Sequence, residues 1–417
     1  MRRDLVIKIG LVVGGLAVLG AIAYQIPVVN DRLSWRVDFA LTYVRSALNP
    51  VGELPTALPQ PAVAVTLHPT ETPVSNVTTE TTTSTPGPTA MPTLTPTAIP
   101  ASISLTPPEW EKQDINNCGP ATLAMYLRYY GWEEDQFPIA DLLKPLREDR
   151  NVNVEELVYY ANTRVGWLRT EFRVGGDIEL MKKFLAAGIP VMIEEGFSLD
   201  ETYWPNDDRW AGHYLLLTAY DDAAETFTAQ DSFTGPDRRV TYSSMDKNWQ
   251  AFNRVYILVY RPEQEETVKS ILGEDWDVDI NRRNALEAAK AETEADPQDA
   301  FAWFNLGTNL VYFEEYGEAA RAYDRARNIG LPHRMLRYQF GPFFAYFFSG
   351  RNEDLLALTE YALQRTPNSE EALLWRGWGL YRDGQTGQAI ADFNQALEEN
   401  PNYQDAQYAL NFIRENQ

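Results

Sequence analysis

Cysteine occurs once and histidine three times in 417 residues. A single thiol cannot close an intramolecular disulfide, so no disulfide framework supports this fold, and Cys118 stays free whatever the compartment. There is no Cys-x-x-Cys or His-Glu-x-x-His spacing for zinc, no Gly-rich Walker loop and no Gly-x-Ser-x-Gly elbow. Metal, nucleotide and serine-hydrolase signatures are therefore all missing. Positive charge is also scarce, with 36 Lys and Arg against 59 Asp and Glu and a net charge of −23. Without a basic stripe to displace phosphate counterions, nucleic acid is excluded as a partner, while a cationic peptide remains compatible.

What is present divides the chain. Arg2, Arg3 and Lys8 precede an uncharged apolar run over residues 9–29. That run is long enough to cross a hydrocarbon core of about 30 Å, and residues 1–30 are read as a single membrane anchor. Ala21-Ile22-Ala23 keeps a cleaved signal peptide as the alternative. The leading positive residues keep the N-terminus cytoplasmic and place the remainder outside, an expected single-pass, extracytoplasmic topology. Residues 31–50, with Trp35, Val37, Phe39, Tyr43, Val44 and Leu48 among polar residues, read as a juxtamembrane amphipathic helix. From 51 to 106, 29 of 56 residues are Ser, Thr or Pro, which predicts a disordered Thr/Pro-rich stalk. His68 falls in this stalk and is given no role.

Past the stalk, Asn117-Cys118-Gly119-Pro120-Ala121 opens an apolar-periodic segment that Gly131 ends, which predicts a helix over residues 120–130. N–H groups at a helix start favour thiolate over thiol, so Cys118 is a candidate nucleophile, with a buried structural cysteine as the competing reading. A thiol nucleophile needs a base. His213 opens a strand-like run, residues 212–220, followed by a turn and a returning strand over 226–230 that ends at Asp231. Folded as a hairpin centred near 222 and 223, residues whose numbers sum to about 445 face each other, which sets Asp231 beside His213. A carboxylate there fixes the imidazole tautomer and stabilises the imidazolium. Asp221 and Asp222 are assigned to the turn. Trp204 and Trp210, just before His213, read as packing residues, with a cleft-lining role as the alternative.

Gln113, residues 117–121, Gly212-His213-Tyr214 and Asp231 together resemble the papain-like cysteine peptidases related to the bacteriocin-processing, double-glycine-leader peptidases. The resemblance spans residues 107–262 and implies an α+β papain-like domain with Cys118 as nucleophile, His213 as base and Asp231 as its orienter. It also implies Gln113 as side-chain donor to the oxyanion. Two departures stand out: Gln113 is only five residues before the cysteine, which leaves Asn116 as an alternative donor, and the family's usual Asp-Pro is here Asp231-Ser232. No ATP-binding cassette follows, so leader cleavage coupled to export is not expected. The mechanism requires no metal or cofactor, and none is expected.

In residues 263–417, prolines at 297, 332, 367 and 401 recur at intervals of 35, 35 and 34. This period resembles tetratricopeptide repeats, an all-α solenoid. Repeats are expected at about 300–333, 336–369 and 370–403, with a leading helix at 285–295 and a capping helix at 403–417. The middle copy carries Phe340, Phe343, Phe344, Tyr346, Phe347 and Phe348, read mainly as core, with an apolar-peptide groove as the alternative. His333 reads as structural. The segment's net charge is −13 from 27 acidic and 14 basic residues.

The expected whole is a membrane-anchored cysteine peptidase acting on peptides or proteins, with repeats that recruit substrate or a protein partner. A catalytically idle scaffold and an acyl or amide transferase on the same residues are the alternatives.

Overall fold

The central element is a seven-stranded antiparallel sheet in the order β2-β7-β3-β4-β5-β6, with β1 pairing the outer half of β4. The structure, a computed structural model, describes residues 26–48, 54–58, 99–147 and 149–416, with isolated positions among residues 14–24 and at 52. Most of the expected anchor and residues 59–98 of the expected stalk, His68 included, lie outside the described residues. Among the described residues no helix is long and apolar enough to cross a membrane.

The strands are β1 (Ser102–Ser104), β2 (Arg169–Arg173), β3 (Val191–Ser198), β4 (Trp210–Asp221), β5 (Thr226–Asp231), β6 (Gly235–Thr241) and β7 (Tyr256–Tyr260). β3 and β7 are buried almost throughout, as strands covered on both faces are; β7 reads as a continuous apolar run, whereas β3 buries Glu194 and Glu195 after its apolar start. One face is covered by α2 (Cys118–Tyr129), α3 (Gln136–Leu143) and α4 (Val154–Arg164). The other is covered by α5 (Ile178–Ala186), α6 (Tyr242–Trp249) and α7 (Glu265–Leu272). Asp135, Asp177 and Thr241 cap α3, α5 and α6 by accepting backbone N–H groups. Such caps are worth about 1 kcal/mol each. Tyr126 ties α2 to the sheet, donating its hydroxyl to the Pro190 carbonyl and accepting the Val259 N–H at 2.9 Å.

Three expectations shift. β1 lies inside the segment read as linker, so the sheet begins before residue 107. α7 contributes Val268 and Leu272 to the core of the sheet's outer face, which carries that layer past residue 262. The β4–β5 register sums to 447 near the turn (Tyr220 with Phe227) and to 446 beyond a bulge (Leu216 with Gln230), not to 445. The four-residue turn 222–225 is centred later than the sequence suggests, and the bulge offsets only one residue of the difference.

Helical hairpins follow: α8 (Val278–Ala295), then the pairs α9 (Ala300–Tyr312) with α10 (Tyr316–Ile329), α11 (Gly341–Phe348) with α12 (Asn352–Arg365), and α13 (Glu370–Arg382) with α14 (Thr386–Glu399), closed by α15 (Gln404–Glu415). Gly307 and Gly377 let the Tyr323 and Phe393 rings approach the facing helix where a Cβ would clash. Of the aromatic stretch, Phe343 and Tyr346 are fully buried while Phe344 and Phe348 stay exposed. His333 accepts or donates at Nδ1 to the Tyr361 hydroxyl, 2.6 Å away, between repeats.

The repeats pack on the sheet domain rather than trailing behind it. Asp207 takes hydrogen bonds from Arg334 at 2.8 and 3.0 Å, and Asn253 and Asn309 exchange amide hydrogen bonds. Trp210 stacks among Phe252, Phe301 and Tyr338, and Trp204 packs on Phe39; both tryptophans are buried. The helix expected near a membrane, α1 (Pro27–Leu48), docks on this body through Phe39, and Arg150 meets its Asp38 and Thr42.

Candidate active site

Cys118 is the first residue of α2, directly after Asn117 and close behind Asn116, whose φ of 53° is a left-handed turn that asparagine tolerates. The loop before it is built on two buried side chains. Gln136 accepts from the Asp114 N–H at 2.7 Å and Asn117 Nδ2 at 2.6 Å, and donates to Glu111 Oε1 and the Lys112 carbonyl. Lys144 Nζ donates to the carbonyls of Ile115, Asn116, Arg147 and Asp149. Neither residue is singled out by sequence spacing. Their signal is only a polar residue on an otherwise apolar helix.

Gly119 lets α2 approach β4 closely, since a Cβ there would lie 3.3 Å from the Tyr214 ring. That approach brings Cys118 to His213 on β4. The thiol and the imidazole lie close enough to shift each other's titration, and the Tyr214 and Gly119 N–H groups favour the charged sulfur. His213 Nε2 lies 2.8 Å from Asp231 Oδ1, which leaves Nδ1 for the sulfur. Asp231, at the end of β5, also accepts the Phe233 and Thr234 N–H groups at 2.8 and 2.9 Å, and its Oδ2 accepts from Arg238 at 2.9 Å. The registers differ from the expected hairpin, yet the two side chains meet.

Burial opposes charge on all three groups, and the partners outweigh it. Burial raises the Cys118 thiol, but its hydrogen bond to His213 and the imidazolium charge bring it below its ordinary value. Burial lowers His213, but Asp231 and the Cys118 sulfur lift it to about 10. Asp231, despite burial, is held below the usual carboxylate range, chiefly by His213. The arrangement favours a thiolate–imidazolium pair. Arg238 was not anticipated. It pairs with Ala229 across the β5–β6 hairpin, and from there its guanidinium reaches Asp231.

Gln113 lies on the loop that runs beside Ser232. Its N–H donates to the Ser232 carbonyl at 2.9 Å, and its Oε1 accepts the Ser232 hydroxyl at 3.0 Å. This pairing directs the amide nitrogen away from Ser232. Asn116 lines the small pocket beside the sulfur. Glu194, on β3, lines it too. Burial and then the neighbouring Cys118 sulfur raise its carboxyl well above the usual range. Asp221 and Asp222 stay at the turn, where Asp222 pairs with Lys182 at 2.8 Å. Among the described residues no cluster of His, Cys, Asp and Glu could hold a metal ion.

Residues 104–257 match the Peptidase_C39 like family, and residues 370–403 match the tetratricopeptide repeat. The chain thus carries a C39-peptidase-like domain followed by tetratricopeptide repeats. Among solved structures, a C39-like peptidase from Bacillus anthracis is 19% identical, with a TM-score of 0.31, over 38% of this chain and 98% of that one. Xylellain, a cysteine protease from Xylella fastidiosa, is 14% identical, with a TM-score of 0.31, over 39% and 87%. YrrB, a tetratricopeptide-repeat protein described as having an unusual peptide-binding site, is 22% identical, with a TM-score of 0.28, over 34% and 69%. No curated protein matches the chain.

Proposed function

We propose that this protein is a membrane-anchored, extracytoplasmic cysteine peptidase of papain-like architecture, cleaving peptide or protein substrates, with its repeats engaging substrate or a protein partner. The observation that carries this reading is the 2.8 Å contact of His213 with Asp231 on an imidazole that also interacts with the helix-start thiol of Cys118. The catalytic unit is assigned to residues 107–262, extended by β1 and α7, and the repeats to the helices from α8 onward. Anchoring and topology rest on the apolar run 9–29 and the basic residues before it.

The Cys118 thiolate attacks the scissile carbonyl, and the carbonyl π electrons move to oxygen. Oxyanion charge is met by the Cys118 N–H and the Gln113 amide, whose free Nε2 face follows from the Ser232 contact. Protonated His213 gives its proton to the leaving amine as the C–N bond breaks, leaving a thioester. Neutral His213 then takes a proton from water, whose oxygen attacks the thioester and releases the acid and the thiolate. Asp231 stays ionised and holds the ring.

The test is alkylation of Cys118 in the full chain between about pH 5 and 9 with a peptidyl thiol reagent. Because the thiol is lowered and the imidazole is raised to about 10, labelling stays fast well below about pH 8.5. It becomes slow in His213→Ala, and Cys118→Ala abolishes peptide turnover while keeping the unfolding midpoint. Labelling that follows an ordinary thiol and ignores His213 would move the assignment to a non-catalytic scaffold.

A further inference from the structure

The first helices of the three repeat pairs, α9, α11 and α13, do not face open solvent. Across from them stand α4, β2, β3 and the segment that follows α6, and between the two lies a cavity of about 550 Å³. This is within the range of pockets that hold drug-sized ligands. Glu194 and Tyr338 line both this cavity and the pocket holding Cys118, so the two spaces share a wall. Tyr338 comes from the repeats and lies against Gly212, where an added Cβ would come within 3.0 Å of its ring. The repeat domain therefore forms part of the wall around the proposed nucleophile.

The charge of this cavity is one-sided. Glu155, Glu156 and Glu194 from the sheet domain and Glu370, Glu371 and Asp405 from the repeats line it, against a single arginine, Arg282. Among the described residues none of these six carboxylates makes an ion pair with a lysine or arginine of the chain. Glu156 accepts the Asn153 N–H, Glu370 the Asn400 amide, and Glu371 the Ser369 hydroxyl. Arg282 instead stands over the Tyr312 ring, 4.9 Å from its centroid. Burial, then repulsion from Asp149 and neighbouring carboxylates, lifts both Glu156 and Glu371 to about 8. Carboxyls held this way have lost their hydration without gaining a counter-charge, so near neutrality they keep a proton in the empty cavity and give it up when a cation enters beside them. Phe340, Phe344, Trp375 and Tyr403 add aromatic faces to the same lining, with Phe344 and Trp375 in contact at 4.4 Å. Acidic groups interleaved with aromatic rings suit the ammonium or guanidinium heads and the aliphatic stems of lysine and arginine.

We propose that this interdomain cavity is the substrate-binding site of the peptidase, and that it admits peptide segments carrying lysine or arginine side chains, which lead to Cys118 past Glu194 and Tyr338. The assignment rests on the peptidase reading of Cys118. It also makes the repeats part of the cleft itself, since they form one of its walls and supply half of its carboxyl groups. Selection comes from the six carboxylates, and the aromatic surfaces hold the stems.

The test uses the full chain carrying Cys118→Ala and a fluorescein-labelled peptide of alternating lysine and leucine. The control is the same peptide with every lysine acetylated. The lysine peptide binds at least about tenfold more tightly, a difference of about 1.4 kcal/mol. In Glu155→Gln combined with Glu371→Gln, affinity for the lysine peptide falls about tenfold and affinity for the acetylated one does not change. The preference of the unaltered cavity also shrinks as salt is raised from about 0.05 to about 0.5 M, a readout that needs no cavity variant. Equal binding of the two peptides, or a preference that the Gln substitutions leave intact, overturns the proposal. In the chain with Cys118 present, the lysine peptide slows alkylation of the thiol and the acetylated one does not. Fast low-pH alkylation without such protection overturns the cavity while the peptidase reading stands. Charge-selective binding beside an ordinary, slow thiol overturns the peptidase reading and leaves the cavity as a basic-peptide site.

Discussion

At the scale of single residues, Ser232 is the informative one. It stands where the resembling family usually has proline, and a proline could not donate a hydroxyl. Here the hydroxyl fixes which end of the Gln113 amide faces Ser232. Ser232→Ala removes that constraint, and peptide turnover is expected to fall about tenfold through kcat, with KM unchanged. The pH profile of Cys118 alkylation should not move, because the His213–Asp231 pair is untouched. A profile that shifts with Ser232→Ala would show that the serine acts on the thiol and not on the oxyanion donor. Cys118, His213 and Asp231 were legible because one cysteine and one well-placed histidine left few alternatives. Arg238 and Glu194 were not, since each is one charged residue among many and only the folded sheet brings them to the site.

At the scale of elements, the position of the sulfur depends on the loop before α2 and on the start of α3. Gln136 is nearly fully buried, and its amide serves four polar partners. Gln136→Leu keeps the volume and takes this partner from the Asp114 N–H, the Asn117 amide and the Lys112 carbonyl, while Glu111 keeps Arg128, so it is expected to destabilise the domain by about 3 kcal/mol. The check is a lower urea midpoint with an unchanged m-value, accompanied by slower alkylation of Cys118 at neutral pH. The elements themselves followed local rules: Asp177 caps α5, Gly188 ends it with a φ of 78°, and the proline period placed the repeat hairpins. The hairpin register did not follow, because β4 and β5 carry a bulge and bulges leave little trace in a strand's alternation.

At the scale of the whole molecule, two modules that the sequence suggests as beads on a string share an interface. Its polar anchor is Asp207, 4% exposed, between Arg334 and Arg337. Burial alone would raise the Asp207 carboxyl, but the two guanidinium groups bring it below its ordinary value. A depressed carboxylate stabilises the fold above its unfolded value of about 3.9 and loses that contribution as pH falls through the lower folded value. Asp207→Asn is expected to cost about 3 kcal/mol near neutrality by leaving buried Arg337 without a carboxylate and Arg334 with only the longer contact to Asp208. In melting experiments the variant's deficit should shrink steadily as pH falls below about 3.9. A deficit of the same size at pH 7 and in acid would argue that packing at the loop, not charge, joins the modules. None of this was visible in composition, which reports the net charge of a segment and not the surface it turns toward its neighbour.

The threonine- and proline-rich tract takes on a different meaning from its two ends. Before it, α1 is held by Arg150 and Trp204, and Leu58 donates its N–H to Asp354 in the repeats at 3.0 Å. After it, Ser102–Ser104 join the sheet. The chain leaves one body and returns to the same body, so the tract is a leash fastened twice rather than a pole. Doubling such a loop changes its closure entropy by only about 0.6 kcal/mol, which leaves this tract free to lengthen, shorten or change its decoration while the protein it belongs to stays in place.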